Sequence, residues 1–74
     1  MKEENYMKTL GDNIKSERTK KGLTIKELSS LADIEESELI KIEKGPIRFN
    51  LLTILKIADA LQVDVNYLFK SKSQ

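Results

Sequence analysis

Residues 22–45 read GLTIKELSSLADIEESELIKIEKG, and this stretch decides the fold. Thr24 and Glu27 have the spacing of a capping box, in which each side chain accepts a hydrogen bond from the other residue's backbone N–H. The box opens a helix over about residues 25–31, with Leu28 and Leu31 on its inner face. Asp33-Ile34-Glu35 forms a turn. A second short helix follows over about 36–43, with Leu39 and Ile42 inward. It stops at Gly45-Pro46, where glycine ends the helical run and proline cannot continue it.

The pattern extends in both directions. Upstream, Leu10, Ile14 and Arg18 recur every four residues, which predicts a helix over roughly 8–21 ended by Gly22. Downstream, Asn50 caps a helix over about 51–61, where Leu51, Ile54, Leu55, Ala58 and Leu61 return at helical spacing. Asp64 caps a last turn or two through Leu68 and Phe69. No run alternates with period two over a useful length, so the chain reads as an all-α bundle of five short helices. The expected core is Leu10, Ile14, Leu23, Leu28, Leu31, Ile34, Leu39, Ile42, Leu51, Ile54, Leu55, Ala58, Leu61, Val63, Leu68 and Phe69. The polar ends, 1–7 and 70–74, read as flexible segments flanking a domain at 8–69.

Composition narrows the function. A chain of 74 residues holds one domain. It has no Cys, His or Trp, which removes disulfides, thiolate sites and the commonest transition-metal ligand and general base. No nucleophile–base pair or pocket-forming length argues for an enzyme, and nothing implies a metal or cofactor. There is no stretch long and apolar enough to span a membrane and no secretory signal, so a cytoplasmic location is expected. The net charge of +1 lacks the basic excess usual in proteins that contact phosphates. That neutrality is uneven: residues 8–22 carry five basic and two acidic side chains, and residues 23–44 carry three basic and six acidic.

Two short helices across a tight turn form a helix-turn-helix unit. The string Gly22-Leu23-Thr24, Glu27-Leu28, Ala32-Asp33-Ile34, Leu39, Ile42-Glu43-Lys44-Gly45 resembles the phage repressor and Cro-like helix-turn-helix family. So does Leu51 followed by Thr53-Ile54-Leu55-Lys56-Ile57-Ala58-Asp59-Ala60-Leu61-Gln62-Val63. The likeness covers roughly residues 10–69. It implies a compact, five-helix lambda-repressor-like domain, with the helix at about 36–43 lying in the major groove of double-stranded DNA. It also implies a structural ion pair between Arg18 and Glu43. Carried over by position, base reading falls on Glu36, Ser37 and Lys41, with Ile40 beside them. Phosphate contacts fall on Thr24, Lys44, Arg48 and the amides near Asn50. Lys41 can donate to guanine O6 or N7, and a glutamate can accept from cytosine N4.

Some positions depart from the family. Ile25 stands where many members have Gln, Asp33 where many have Gly, and Glu35 where Ser or Thr is common. Glu35, Glu36 and Glu38 crowd the end of the helix that should approach phosphates. Two functional readings follow. The first is a sequence-specific transcriptional regulator, a homodimer on a palindromic site because one module buries little DNA surface; the exposed parts of Val65, Tyr67 and Phe69 are then the candidate pairing surface, unless they complete the monomer's own core. The second is a protein-interaction module that keeps the fold and offers an acidic face bearing Ile25 and Ile40 to a basic protein partner.

Overall fold

The computed structural model describes residues 2–70. Four α-helices, α1 (Lys2–Lys20), α2 (Ile25–Ala32), α3 (Glu36–Lys44) and α4 (Leu51–Leu61), are followed by a 3₁₀ helix at Val65–Phe69. Among the described residues there is no strand. Helix α1 starts at Lys2, six residues before the start expected from the Leu10/Ile14/Arg18 row. Residue 1 and most of the expected tail, 71–74, lie outside the described residues.

Each short helix is delimited by its own side chains and turns. After α1, Gly22 takes φ 71°. Its N–H donates to the Thr19 carbonyl, and the Leu23 N–H donates to the Arg18 carbonyl. This pairing satisfies carbonyls that the end of a helix leaves open. The capping box forms at α2: the Glu27 N–H donates to Thr24 Oγ1 at 3.0 Å and the Thr24 N–H to Glu27 Oε1 at 2.9 Å. The same C-terminal closure recurs after α2 at Asp33 and after α4 at Gln62, both with positive φ. Asp33 thus adopts the left-handed conformation that glycine often supplies here. Helix α4 is capped by Asn50, whose side-chain oxygen accepts from the Leu52 N–H at 2.8 Å.

The core is built from Leu10, Ile14, Leu28, Ala32, Leu39, Ile42, Ile54, Ile57, Ala58, Leu61 and Leu68. Three expected core residues are outside it: Leu31, Leu51 and Leu55 are exposed. In α2 the buried row runs from Leu28 to Ala32, a spacing of four, which turns Leu31 to the flank. In α4 the buried side is set by Ile54, Ile57, Ala58 and Leu61, so Leu51 and Leu55 rotate outward and Ile57, unexpected, goes in. Leu23, Ile34, Val63 and Phe69 pack half-buried around this centre.

Two close contacts help to hold α1 against the rest. Gly11 faces the end of α3 so closely that a Cβ would collide with the Ile42 carbonyl oxygen and sit 2.9 Å from that of Glu43. Asn13, buried inside, donates its amide to the carbonyls of Leu68 and Lys70, both at 2.7 Å. The last turn is thereby tied to α1. Val65 and Phe69 pack half-buried against the core, and the Phe69 ring lies 6.1 Å from that of Phe49. Of the C-terminal residues expected for pairing, Val65 and Phe69 thus pack partly within the monomer, and Tyr67 stays 43% exposed.

Candidate nucleic-acid interface

Helix α3 has two faces with different fates. Leu39 and Ile42 are buried and anchor it. Glu36, Ser37, Ile40, Lys41 and Lys44 are all exposed. Their spacing of one, three and four residues makes them one contiguous stripe on the opposite side. The four positions proposed for base reading are thus brought together, with Lys44 extending the row by one turn.

The helix is braced from both ends. Arg18 grips Glu43 with two parallel hydrogen bonds, Nε to Oε2 at 2.7 Å and Nη2 to Oε1 at 3.1 Å. Its remaining nitrogen, Nη1, donates to the Leu23 carbonyl at 2.8 Å. The side chains are only 12% and 6% exposed, so this bidentate pair is sheltered from solvent. A single arginine therefore connects α1, the loop before α2, and the end of α3. Nearer its start, α3 is held by Thr53 of α4, whose hydroxyl donates to Glu38 Oε2 at 3.2 Å.

The second contact changes the electrostatics. Of the three clustered glutamates, Glu38 turns toward α4, and only Glu35 and Glu36 are exposed at the start of α3. Glu35 occupies the cap position without a side-chain capping bond. Both carboxylates sit where the helix dipole favours negative charge, by about 0.3–1 kcal/mol each. Ile25 is half-buried against the core, so Ile40 alone is the apolar side chain standing on the stripe.

The residues mapped to phosphate contact lie at the surface, Lys44 at the end of the stripe and the others in the segments before α2 and α4. Thr24, Lys44, Arg48 and Asn50 are all exposed. Thr24 and Asn50 each spend an acceptor on their own helix cap. The Thr24 O–H and the Asn50 side-chain NH2 are still donors, which is the polarity a phosphate needs. Asn50 also opens α4, and a helix start offers backbone N–H groups of the kind that bind anions.

The basic charge at the end of α1 and just beyond it is partly committed elsewhere. Lys20 and Lys21 reach Glu17 at 3.1 and 3.6 Å, and the Tyr67 hydroxyl donates to the same carboxylate at 2.9 Å. Burial alone would raise the Glu17 pKa. The hydrogen bonds from Lys20 and Tyr67, with the charges of Lys20 and Lys21, outweigh it and hold the carboxyl below its ordinary value. Lys20 is correspondingly held above its own, through its hydrogen bond to Glu17. Glu17 and Asn13 escaped the sequence reading although a signal existed: positions 10, 13, 14 and 17 form one helical face, and its two polar members are buried. Among the described residues no cluster of carboxylates could hold a metal ion, and no helix is long and apolar enough to cross a membrane.

A sheltered scaffold thus presents one exposed helix beside a capped helix start. The sequence model of the helix-turn-helix family matches residues 14–68. The chain belongs to this family, in its Cro/C1-type branch of DNA-binding transcription regulators, which are not enzymes. Among solved structures it is similar to the restriction-modification controller protein C.AhdI from Aeromonas hydrophila. The two share 32% identity with a TM-score of 0.81, over 85% of this chain and 96% of that one. No curated protein matches.

Proposed function

We propose that the chain binds a specific double-stranded DNA site by laying the outer stripe of α3 in the major groove. Glu36, Ser37, Ile40 and Lys41 read base edges, and Thr24, Lys44, Arg48 and Asn50 contact the flanking phosphates. The observation that carries this reading is the division of α3. Leu39 and Ile42 are buried, Glu38 and Glu43 are bonded to other helices, and the side chains left free form a single row.

The free row has usable chemistry. Lys41 donates to guanine O6 or N7, Glu36 accepts from cytosine N4, Ser37 does either, and Ile40 suits a thymine methyl. The small basic surface makes each module a weak binder, which favours a homodimer on a palindromic site. The likeness to a controller protein supports a regulatory role.

Titration of random and genomic duplexes across salt concentrations tests the proposal. Affinity should fall steeply with salt, with a slope set by the phosphates neutralised. Absence of binding to every duplex at low salt would favour a basic protein partner docking on Glu35 and Glu36 instead.

A further inference from the structure

Helix α1 starts six residues before its apolar row predicts, and the extension runs beside the end of α3. A Cβ on Gly45 would lie 3.2 Å from the Met7 carbonyl oxygen and 3.4 Å from the Lys8 Cα. Tyr6 continues the Leu10/Ile14 row back by one turn. The core ends there, and Tyr6 is 58% exposed. Tyr6 and Met7 line a cleft of about 250 Å³ together with Arg48 and Phe49, which come from the segment between α3 and α4. Phe49 is half-buried and its ring packs on Phe69, so it is a fixed wall of the cleft.

We infer that Tyr6 is a further contact to the DNA backbone: its hydroxyl and Arg48 donate to one phosphate at this cleft, and its ring lies on the adjoining deoxyribose. The inference rests on the DNA-binding reading above and adds to it a residue outside the helix-turn-helix unit. The chemistry of the cleft points to that occupant. Arg48 supplies a positive charge, the Tyr6 hydroxyl supplies a neutral donor, and Met7 and Phe49 supply apolar wall. A phosphate joined to a sugar has the matching halves, and tyrosine is among the side chains that bond phosphate oxygens. The cleft is smaller than the roughly 300–1,000 Å³ of pockets that enclose a small molecule, whereas a strand laid across it needs no enclosure.

The placement agrees with the stripe. Lys44 ends the stripe, Gly45 follows it and faces α1, and the same segment goes on to Arg48 and Asn50, both mapped to phosphate. A strand held by Lys44, Arg48 and Asn50 therefore passes the cleft. Tyrosine also suits the charge balance. The chain carries only +1, and Tyr6 adds a phosphate contact without a basic side chain, as Thr24 and Asn50 do. A neutral donor releases no counterion, so the affinity it supplies leaves the salt dependence unchanged. Phosphate contacts fix position and carry no sequence information, so the gain is the same on every duplex.

Duplex titration of the full chain across salt concentrations, with Tyr6→Phe, Tyr6→Ala and Arg48→Ala, tests this. Tyr6 is exposed, and urea unfolding of its variants should match the wild type. Tyr6→Phe should weaken binding to every duplex about two- to tenfold with an unchanged salt slope, and Tyr6→Ala should weaken it further. Arg48→Ala should instead lower the slope by about one. A second measurement replaces single phosphates of the bound site by neutral methylphosphonates. One position is expected at which the wild type loses affinity while Tyr6→Phe and Arg48→Ala both lose less. Different positions for the two variants would overturn the shared phosphate. A folded Tyr6→Phe that binds as the wild type does, or that loses preference at one base pair only, would overturn the Tyr6 contact and leave the DNA-binding reading intact. A wild type that binds no duplex at low salt would overturn that reading and the contact with it.

Discussion

The two faces of α3 differ in how much the rest of the molecule constrains them. On the inner face, Leu39 and Ile42 are buried, Glu43 is gripped by Arg18 and Glu38 accepts from Thr53. On the outer face, Glu36, Ser37, Ile40 and Lys41 are exposed. Both faces carry glutamates, so residue type alone does not separate scaffold from reading surface. What separates them is whether a carboxylate has a partner. The inner face sets the angle of the helix, and the outer face can change its residues at little cost to the fold.

The largest expected effect breaks the inner face. Glu43→Ala leaves Arg18 sheltered without its partner and should cost about 3–5 kcal/mol in urea or thermal unfolding. Glu36→Ala, an equally acidic residue on the outer face, should stay within about 0.5 kcal/mol. Equal stabilities for the two would erase the distinction between the faces. Next is Gly11→Ala, which places a methyl against the Ile42 and Glu43 carbonyls and should destabilise by about 1–3 kcal/mol, measured the same way.

Lys41→Ala should do the reverse of Glu43→Ala. Its unfolding curve should match the wild type, while preference at one base pair relaxes by about 1–3 kcal/mol in competition binding. Thr53→Val removes only the neutral side of a half-exposed hydrogen bond and should cost about 0.5–1.5 kcal/mol.

The smallest effect concerns pH. The Glu17 carboxyl lies below its ordinary value of 4.5 despite burial, because Lys20, Tyr67 and Lys21 favour its charge. A carboxyl depressed in the folded state stabilises fully above the unfolded value, and that contribution fades as pH falls through the folded one. Glu17→Gln should therefore flatten the loss of stability on acidification. An unchanged acid limb would show that Glu17 contributes nothing to it.

Much of this was legible in the residues. The capping box at Thr24 and Glu27, the anchors Leu39 and Ile42, and the stop at Gly45 are local chemistry, and they place the helix-turn-helix unit. Exposure of the outer stripe follows from the same anchors. What escaped depends on contacts between helices distant in sequence. By sequence Glu38 is a third acid facing phosphates, and only its bond to Thr53, fifteen residues on, draws it toward α4. Gly11 carries no periodic signal, and its role is visible only where α1 crosses the end of α3. Leu51 and Leu55 fit a helical repeat, yet a repeat does not say which side faces the core when leucines lie on both.

The central claim is that the outer stripe of α3 reads bases, and selection from a randomised duplex library tests it most directly. Wild-type protein should recover a two-fold-related consensus, and Lys41→Ala should recover the same consensus with preference lost at one base pair in each half. Arg48→Ala should weaken binding to all recovered sequences alike. A consensus untouched by Lys41→Ala, together with unchanged affinity, would place the reading surface elsewhere.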